Sequence, residues 1–246
     1  MQAVIMAGGM GVRLRPLTDR IPKPMVKIID KPVLEYTVQH LKNCGVTDIS
    51  MTLCYRPSVI IRHFGDGSKL GVKIKYFVEK TPMGTAGGVA AAVKGSDGPF
   101  LVVSGDAFTD IDYSELVNFH ENHGGAVTVA VKEVKNPSSF GVVETDNNGK
   151  ITRFEEKPSA PSSFTVNTGV YVMDKAALDL VPENVRYDFA KDLFPRLIGN
   201  MYAMKTDCYW SDIGTHSSYY LTNNDAALDG RRFGFCIRQI RYKGGI

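Results

Sequence analysis

A glycine-rich stretch, Gly8-Gly9-Met10-Gly11, is closely followed by three cations, Arg13, Arg15 and Lys23. Glycines let a backbone approach an anion with its N–H groups turned inward, and cations held beside such a loop suit a polyphosphate. Lys23 lies between Pro22 and Pro24, which stiffen the chain on both sides and limit where the lysine can point. The spacing is neither G-x-G-x-x-G nor G-x-x-x-x-G-K-[ST], so the dinucleotide and P-loop signatures do not fit. On the glycines alone, a tight strand-to-helix turn explains the stretch equally well.

Acids that could hold a metal lie further on. Asp106, in Ser104-Gly105-Asp106, follows the apolar run FLVVS and so stands at the carboxyl end of a strand, where open α/β sheets place their ligands. Asp212 lies in Tyr209-Trp210-Ser211-Asp212-Ile213-Gly214-Thr215. A hard cation such as Mg²⁺ needs only one or two carboxylates beside phosphate oxygens and water. Each acid alone also reads as a turn or helix-cap residue. Asp110-Ile111-Asp112 spells the D-x-D of many nucleotide-sugar glycosyltransferases, but the YSELVNFHENH after it reads as a helix, making Asp112 its cap and Asp110 a turn acid. Small residues in Gly84-Thr85-Ala86-Gly87-Gly88 would let a flat base lie close to the backbone, and they equally suit tight helix packing. Glu155-Glu156-Lys157-Pro158 reads as a solvated strand end, and Asn167-Thr168-Gly169 as a turn or bulge. The five histidines, His40, His63, His120, His123 and His216, form no metal-ligand cluster in the sequence. No G-x-S-x-G element suggests covalent catalysis, so group transfer would be direct.

Strand-length apolar segments alternate with helix-like ones from the start, the pattern of an α/β domain with a largely parallel sheet. Strands are predicted at 2–7, 48–54, 72–78 and 100–104, and helices at 33–43, 57–64 and 85–94. The first of these helices carries Leu34, Val38 and Leu41 on one face. After residue 125 the rhythm changes to AVTVAVK, FGVVET and KITRFEEK, with Asn147-Asn148-Gly149 as a hairpin turn between the last two. Helices are predicted again at 188–198, opened by Asp188, and at 215–228. No repeat or linker divides the chain, so residues 1–229 read as one domain and 230–246 as a basic tail.

The 246 residues, 43% hydrophobic and 22% charged, exclude disordered and fibrous classes. The net charge of +3 does not point to a nucleic acid, because it is unevenly placed. After Asp229 the tail holds Arg231, Arg232, Arg238, Arg241 and Lys243 without an acid, leaving 24 basic against 26 acidic side chains before it. Cys44, Cys54, Cys208 and Cys236 are scattered, without the pairing of a zinc site or a disulfide framework. No apolar run approaches the ~20 residues of a membrane span. The opening MQAVIMAGG also lacks the basic start and long apolar core of a signal peptide. A cytoplasmic protein without nucleic-acid or membrane partners is expected.

The run GGMGVRLRPLTDRIPKP resembles the signature of the sugar-1-phosphate nucleotidylyltransferases, G-G-x-G-x-R-L-x-P-L-T followed by P-K-P, with Val12 where many members have Thr. The resemblance extends through five ordered motifs over about residues 1–225. It implies a Rossmann-like (GT-A-like) fold with a mixed, mostly parallel central sheet flanked by helices. It further implies that Ala7, Gly8, Gly9 and Gly11 wrap the nucleotide, and that Arg13 and Lys23 grip its phosphates. Asp106 and Asp212 would together chelate Mg²⁺. The E-x-x-x-x-G-T-A-G match at 79–87 implies base contacts from Glu79, Gly84 and Thr85. The E-K-P and N-T-G matches imply that Lys157 holds the sugar phosphate and that Glu156 and Asn167 meet sugar hydroxyls, with Gly141 adding a backbone contact. Many members carry a left-handed β-helix after this domain, and no such segment is expected here; a homo-oligomer through the catalytic domain remains open.

A carboxylate at position 79 could accept two parallel hydrogen bonds from guanine N1–H and N2–H₂, which uracil and thymine cannot offer, or it could simply order its loop. The expected reaction is transfer of a nucleoside monophosphate from GTP to mannose 1-phosphate, giving GDP-mannose and pyrophosphate. Glucose 1-phosphate with UTP or dTTP is the alternative substrate pair. A regulatory paralogue that binds nucleotide sugar without turnover is the alternative class, but it would be expected to lose Arg13, Lys23 or a metal acid.

Overall fold

A computed structural model describes residues 1–229. The predicted tail 230–246 lies outside the described residues. In chain order the elements begin with β1 (Gln2–Met6), β2 (Lys27–Ile28), β3 (Lys31–Pro32), α1 (Val33–Asn43), β4 (Asp48–Leu53), α2 (Pro57–Phe64), β5 (Lys73–Val78) and α3 (Gly84–Ala92). They continue with β6 (Phe100–Ser104), β7 (Ala107–Thr109), α4 (Tyr113–His123), β8 (Val127–Glu133), β9 (Gly141–Thr145), β10 (Ile151–Glu156) and β11 (Thr165–Met173). The last are α5 (Lys175–Leu178), α6 (Phe194–Leu197), β12 (Met201–Lys205), β13 (Trp210–Asp212) and α7 (His216–Leu228).

Nine strands form one mixed sheet. β1 is parallel to β4 on one side and to β6 on the other, and β5 continues the parallel half beside β4. β11 is antiparallel to β6, β8 and β9, β10 closes a hairpin on β9, and β12 runs parallel to β8. Strand side chains alternate between faces, so the sheet buries both. Ala3 and Ile5 of β1 pack with Leu34, Val38 and Leu41 of α1, Ile60 of α2 and Leu116 of α4. Val4 turns the other way, into a core with Val89 of α3, Phe189 and Phe194. The predicted 3.6-residue face of α1 is thus the buried one.

Because β1 pairs with β4 on one flank and β6 on the other, the chain order reverses at β1, and a crevice opens outside the strand ends there. Met6 is level with Thr52 and with Ser104, so the segments after β1, β4 and β6 leave the sheet side by side. A separate two-stranded ribbon brings a distant segment to this crevice: β13 pairs antiparallel with β7, setting Asp212 opposite Ala107, the residue after Asp106.

Two expectations are corrected. The region 188–198 is not one α-helix: a π-turn spans Phe189–Leu193 before the short α6, with Pro195, which has no N–H to donate, directly after its start. Asp188 does not cap that segment with its side chain, which turns instead to α3. The Asn147-Asn148-Gly149 turn does form: Asp146 Oδ1 accepts from Asn148 and Lys150 N–H, and Gly149 takes a φ of 78°.

Candidate active site

The glycine stretch leaves β1 and folds back on the segment that carries Lys23. Gly11 has a φ of 66°, and a Cβ there would lie 2.9 Å from Lys23 Cβ and 3.0 Å from Thr18 Cγ2, so a side chain would be both strained and crowded. Thr18 Oγ1 donates to Gly11 O at 2.7 Å and Lys23 N–H to Gly9 O at 3.2 Å, tying the two arms of the loop together. Pro22 precedes, and Pro24 lies within, the 3-10 turn Lys23–Met25, whose residues are all buried.

Held in this way, Lys23 reaches both predicted metal acids. Its Nζ lies 2.8 Å from Asp106 Oδ2 and 2.6 Å from Asp212 Oδ1. Ser104 Oγ donates to the other oxygen of Asp106. Burial opposes charging Asp106, but the Lys23 ammonium and these hydrogen bonds outweigh it, and the carboxyl is held below the usual range. Burial likewise favours a neutral Lys23, and the two carboxylates override this to raise its pKa. The ammonium stays charged at neutral pH.

Arg13 stands on a 3-10 turn anchored by the buried Leu14. It shares the cleft with Lys23, Asp106 and Asp212. Gly214 makes room for it: a Cβ there would lie 3.0 Å from Arg13 Nη2 and 2.8 Å from Asp212 Oδ2. The same cleft, about 240 Å³, is also lined by Gly141, Glu156, Lys157 and Asn167. Lys157 adopts a left-handed φ of 51° at the end of β10, and its Nζ donates to Glu156 Oε1 at 2.7 Å. Asn167 sits at a register break in β11, donates through Nδ2 to Tyr171 OH at 2.9 Å, and accepts Gly169 N–H at 2.8 Å. The bulge reading of Asn-Thr-Gly is correct, and the bulge faces the cleft.

The remaining predicted residues form a second group around the ends of β4 and β5. Ala7 N–H donates to Thr52 O at 3.0 Å, and Gly8 lies against Cys54, with room for a Cβ only at 3.3 Å. Gly9 borders the acids, its would-be Cβ 4.0 Å from Asp106 Oδ2. Glu79 N–H donates to Leu53 O at 2.8 Å, and Glu79 Oε2 accepts Met83 N–H at 2.9 Å, so its carboxylate does order the loop. Burial raises the Glu79 pKa, and the Met83 hydrogen bond partly offsets this. Gly88 admits that carboxylate: a Cβ there would sit 2.5 Å from Glu79 Oε1. Gly84 and Thr85 are engaged by the 187–189 segment.

The D-x-D acids are engaged elsewhere. Asp112 Oδ1 caps α4 by accepting Ser114 and Glu115 N–H, and Asp110 Oδ1 accepts Tyr209 N–H at 2.6 Å. Asp106 and Asp212, by contrast, converge on one point with hard oxygen donors. No group of three or more His, Cys, Asp or Glu suited to a metal occurs among the described residues. Two carboxylates suit a cation that completes its shell with phosphate oxygens and water. Ser104, Gly214 and Trp210 also shape the cleft without having been singled out as site residues. Trp210 Nε1 donates to Thr168 O at 2.9 Å, and its ring meets Phe140 edge-on. The signal for all three was adjacency to the two acids.

The chain as a whole is similar to known proteins. A family model described as "Nucleotidyl transferase" matches residues 2–228. A rice (Oryza sativa subsp. japonica) protein named "Probable mannose-1-phosphate guanylyltransferase 1" is 38% identical over 240 residues, covering 94% of this chain and 66% of its own. A Synechocystis protein named "UTP--glucose-1-phosphate uridylyltransferase" is 36% identical, covering 89% of this chain and 62% of its own. The chain thus spans somewhat under two thirds of the length of these relatives. Among solved structures, HddC from Yersinia pseudotuberculosis, complexed with GMP-PN, superposes with a TM-score of 0.79 at 28% identity, covering 91% of this chain and 98% of that one.

Proposed function

The chain belongs to the nucleotidyl transferase family, and from that membership we propose that it transfers a nucleoside monophosphate from a nucleoside triphosphate to a sugar 1-phosphate, releasing pyrophosphate. The observation that carries the reading is Lys23 held between Asp106 and Asp212, in a cleft that Lys157, Glu156 and Asn167 also line. The first set suits a triphosphate and the second a sugar phosphate.

A phosphate oxygen of the sugar 1-phosphate attacks the α-phosphorus in line, the bond to the bridging oxygen breaks, and pyrophosphate leaves with that electron pair. The attacking group is already an anion, so no strong general base is needed, and the protein acts by positioning and charge compensation. Arg13 and Lys23 bear on the triphosphate, and Lys157 orients the attacking phosphate. Glu156 and Asn167 meet the sugar hydroxyls. Asp106 and Asp212 would hold Mg²⁺, which supplies charge neutralisation at the transferring and leaving phosphates. We place the reaction in the cytoplasm; no helix among the described residues is long and apolar enough to cross a membrane.

GTP and mannose 1-phosphate are the first choice of substrates. Glu79 offers the carboxylate that guanine can use, and the rice relative is named for that pair. A specific observation also favours the second reading, glucose 1-phosphate with UTP or dTTP. Glu79 already serves Met83, and the Synechocystis relative is named for UTP and glucose 1-phosphate. Incubation of the protein with each pair and Mg²⁺, followed by mass spectrometry of the nucleotide sugars, separates them: GDP-mannose as the leading product supports the first, and UDP- or dTDP-glucose the second.

A further inference from the structure

α3 starts without a capping side chain of its own, because Met83 stands at its N-cap. The first N–H groups of a helix need partners from outside its own hydrogen-bond ladder. Here a distant segment supplies them. Thr85 N–H donates to Asp188 Oδ1 at 3.1 Å, and Ala86 and Gly87 N–H donate to Tyr187 O at 2.9 and 3.0 Å. The exchange is reciprocal, since Tyr187 N–H donates to Met83 O at 2.9 Å and Phe189 N–H to Thr85 Oγ1 at 2.9 Å. The Thr85 hydroxyl in turn donates to Asp188 Oδ1 at 3.3 Å. Gly84, with a φ of 75°, lets the two segments close: a Cβ there would lie 2.5 Å from Tyr187 O. Asp188 is itself fixed, its N–H donating to Asp192 Oδ2 at 2.7 Å, and Tyr187 OH accepts from Arg196 Nη1 at 3.0 Å.

The loop that ends in this clasp carries Glu79. Its carboxylate holds Met83 N–H while Tyr187 N–H holds Met83 O, so Met83 is pinned from both sides. We propose that Asp188 is the positioning residue of the base-binding loop: it caps α3 from outside and thereby fixes the place of Glu79, without itself touching the nucleotide. The proposal rests on the nucleotidylyl-transfer reading and deepens it. Thr85 then acts through Asp188, and its hydroxyl is not a direct ligand of the base.

The test is a double-mutant cycle of Asp188→Ala and Thr85→Val, read by nucleotide Kd from calorimetry, by KM for each substrate, and by hydrogen exchange of the amides at 84–87. Asp188→Ala should weaken nucleotide binding about tenfold, the order of a lost helix cap. It should leave kcat and the sugar 1-phosphate KM within about twofold and speed exchange at 84–87. Adding Thr85→Val should cost less than its effect alone, because the hydroxyl–carboxylate bond is already lost and only the Phe189 N–H bond to the hydroxyl remains to be removed. Asp188→Asn keeps an acceptor for both Thr85 donors and should recover near-native nucleotide affinity. Faster exchange with unchanged nucleotide affinity, or effects of the two substitutions that multiply, would overturn the proposal. A wild-type protein that makes no nucleotide sugar would refute the functional reading instead, while the exchange and Kd comparisons would still decide the role of Asp188.

Discussion

Replacing Lys23 by methionine keeps the length and apolar stem of the side chain and removes the one ammonium that touches both Asp106 and Asp212. The two carboxylates then face each other without it. Their facing oxygens lie 2.8 and 2.6 Å from Lys23 Nζ and so no further apart than about 5 Å, where two like unit charges at an effective dielectric near 20 repel by about 3 kcal/mol. Lys23 is buried and the two acids are part-exposed, so the loss belongs at the low end of the about 3–5 kcal/mol that breaking a buried ion pair costs. For a domain of this size each kcal/mol shifts Tm by roughly 2–4 °C, so Lys23→Met should melt about 6–12 °C lower. Millimolar Mg²⁺ should recover more of that loss in the variant than it adds to the wild type, whose acids already have a counter-charge. Turnover should fall by about 10²–10³-fold with the loss of a preorganised cation at the phosphates. The assays are thermal melts with and without MgCl₂ and pyrophosphate release. A variant that melts like the wild type, or whose Tm ignores Mg²⁺, would refute the claim that the two acids form one cation site. Unimpaired turnover would remove Lys23 from the phosphates.

Asp106→Asn and Asp212→Asn should each lower kcat by about 10²-fold or more, through lost metal-borne stabilisation; normal turnover of either with Mg²⁺ would dismiss that acid as a ligand. Glu79→Gln should reduce the preference for GTP over UTP, checked by kcat/KM for the two nucleotides. Because burial raises the Glu79 pKa, the folded protein takes up that proton before the unfolded chain does. Glu79 therefore costs stability at neutral pH, and the cost fades as pH falls through the raised value. Glu79→Gln should accordingly be at least as stable as the wild type at pH 7, with the difference shrinking on acidification, as melts across pH would show. Lys157→Ala should raise KM for the sugar 1-phosphate about tenfold or more, the worth of one charge-assisted contact, while the nucleotide KM stays near native in steady-state kinetics.

The parts of the fold that were readable are those where local pattern and tertiary environment agree. β1 and β6 read as apolar runs because a two-sided parallel sheet buries both of their faces, and their ends placed the glycine stretch and Asp106 in the crevice; β4 between β1 and β5 alternates instead, with Ser50 and Thr52 buried beside Ile49, Met51 and Leu53. Asp112 declared itself a cap by the helix that follows it, which removed the D-x-D from consideration as a metal site. What local pattern could not supply was partnership across the chain. β7 and β13 have three residues each, too short for a period to show, yet their pairing is what brings Asp212 to Asp106. The sequence marked Lys23 as clamped but not as the link between those acids. Asp188 carried an ordinary helix-start signal, and nothing local indicates that it serves α3 instead of the turn it precedes.

Pyrophosphate release by the purified protein tests direct nucleotidylyl transfer most directly. With each of four nucleoside triphosphates and a set of sugar 1-phosphates, release should require both substrates and Mg²⁺, match the nucleotide sugar formed mole for mole, and be fastest with GTP and mannose 1-phosphate. No pyrophosphate from any pair, or sugar transfer from a preformed nucleotide sugar in its place, would contradict the account.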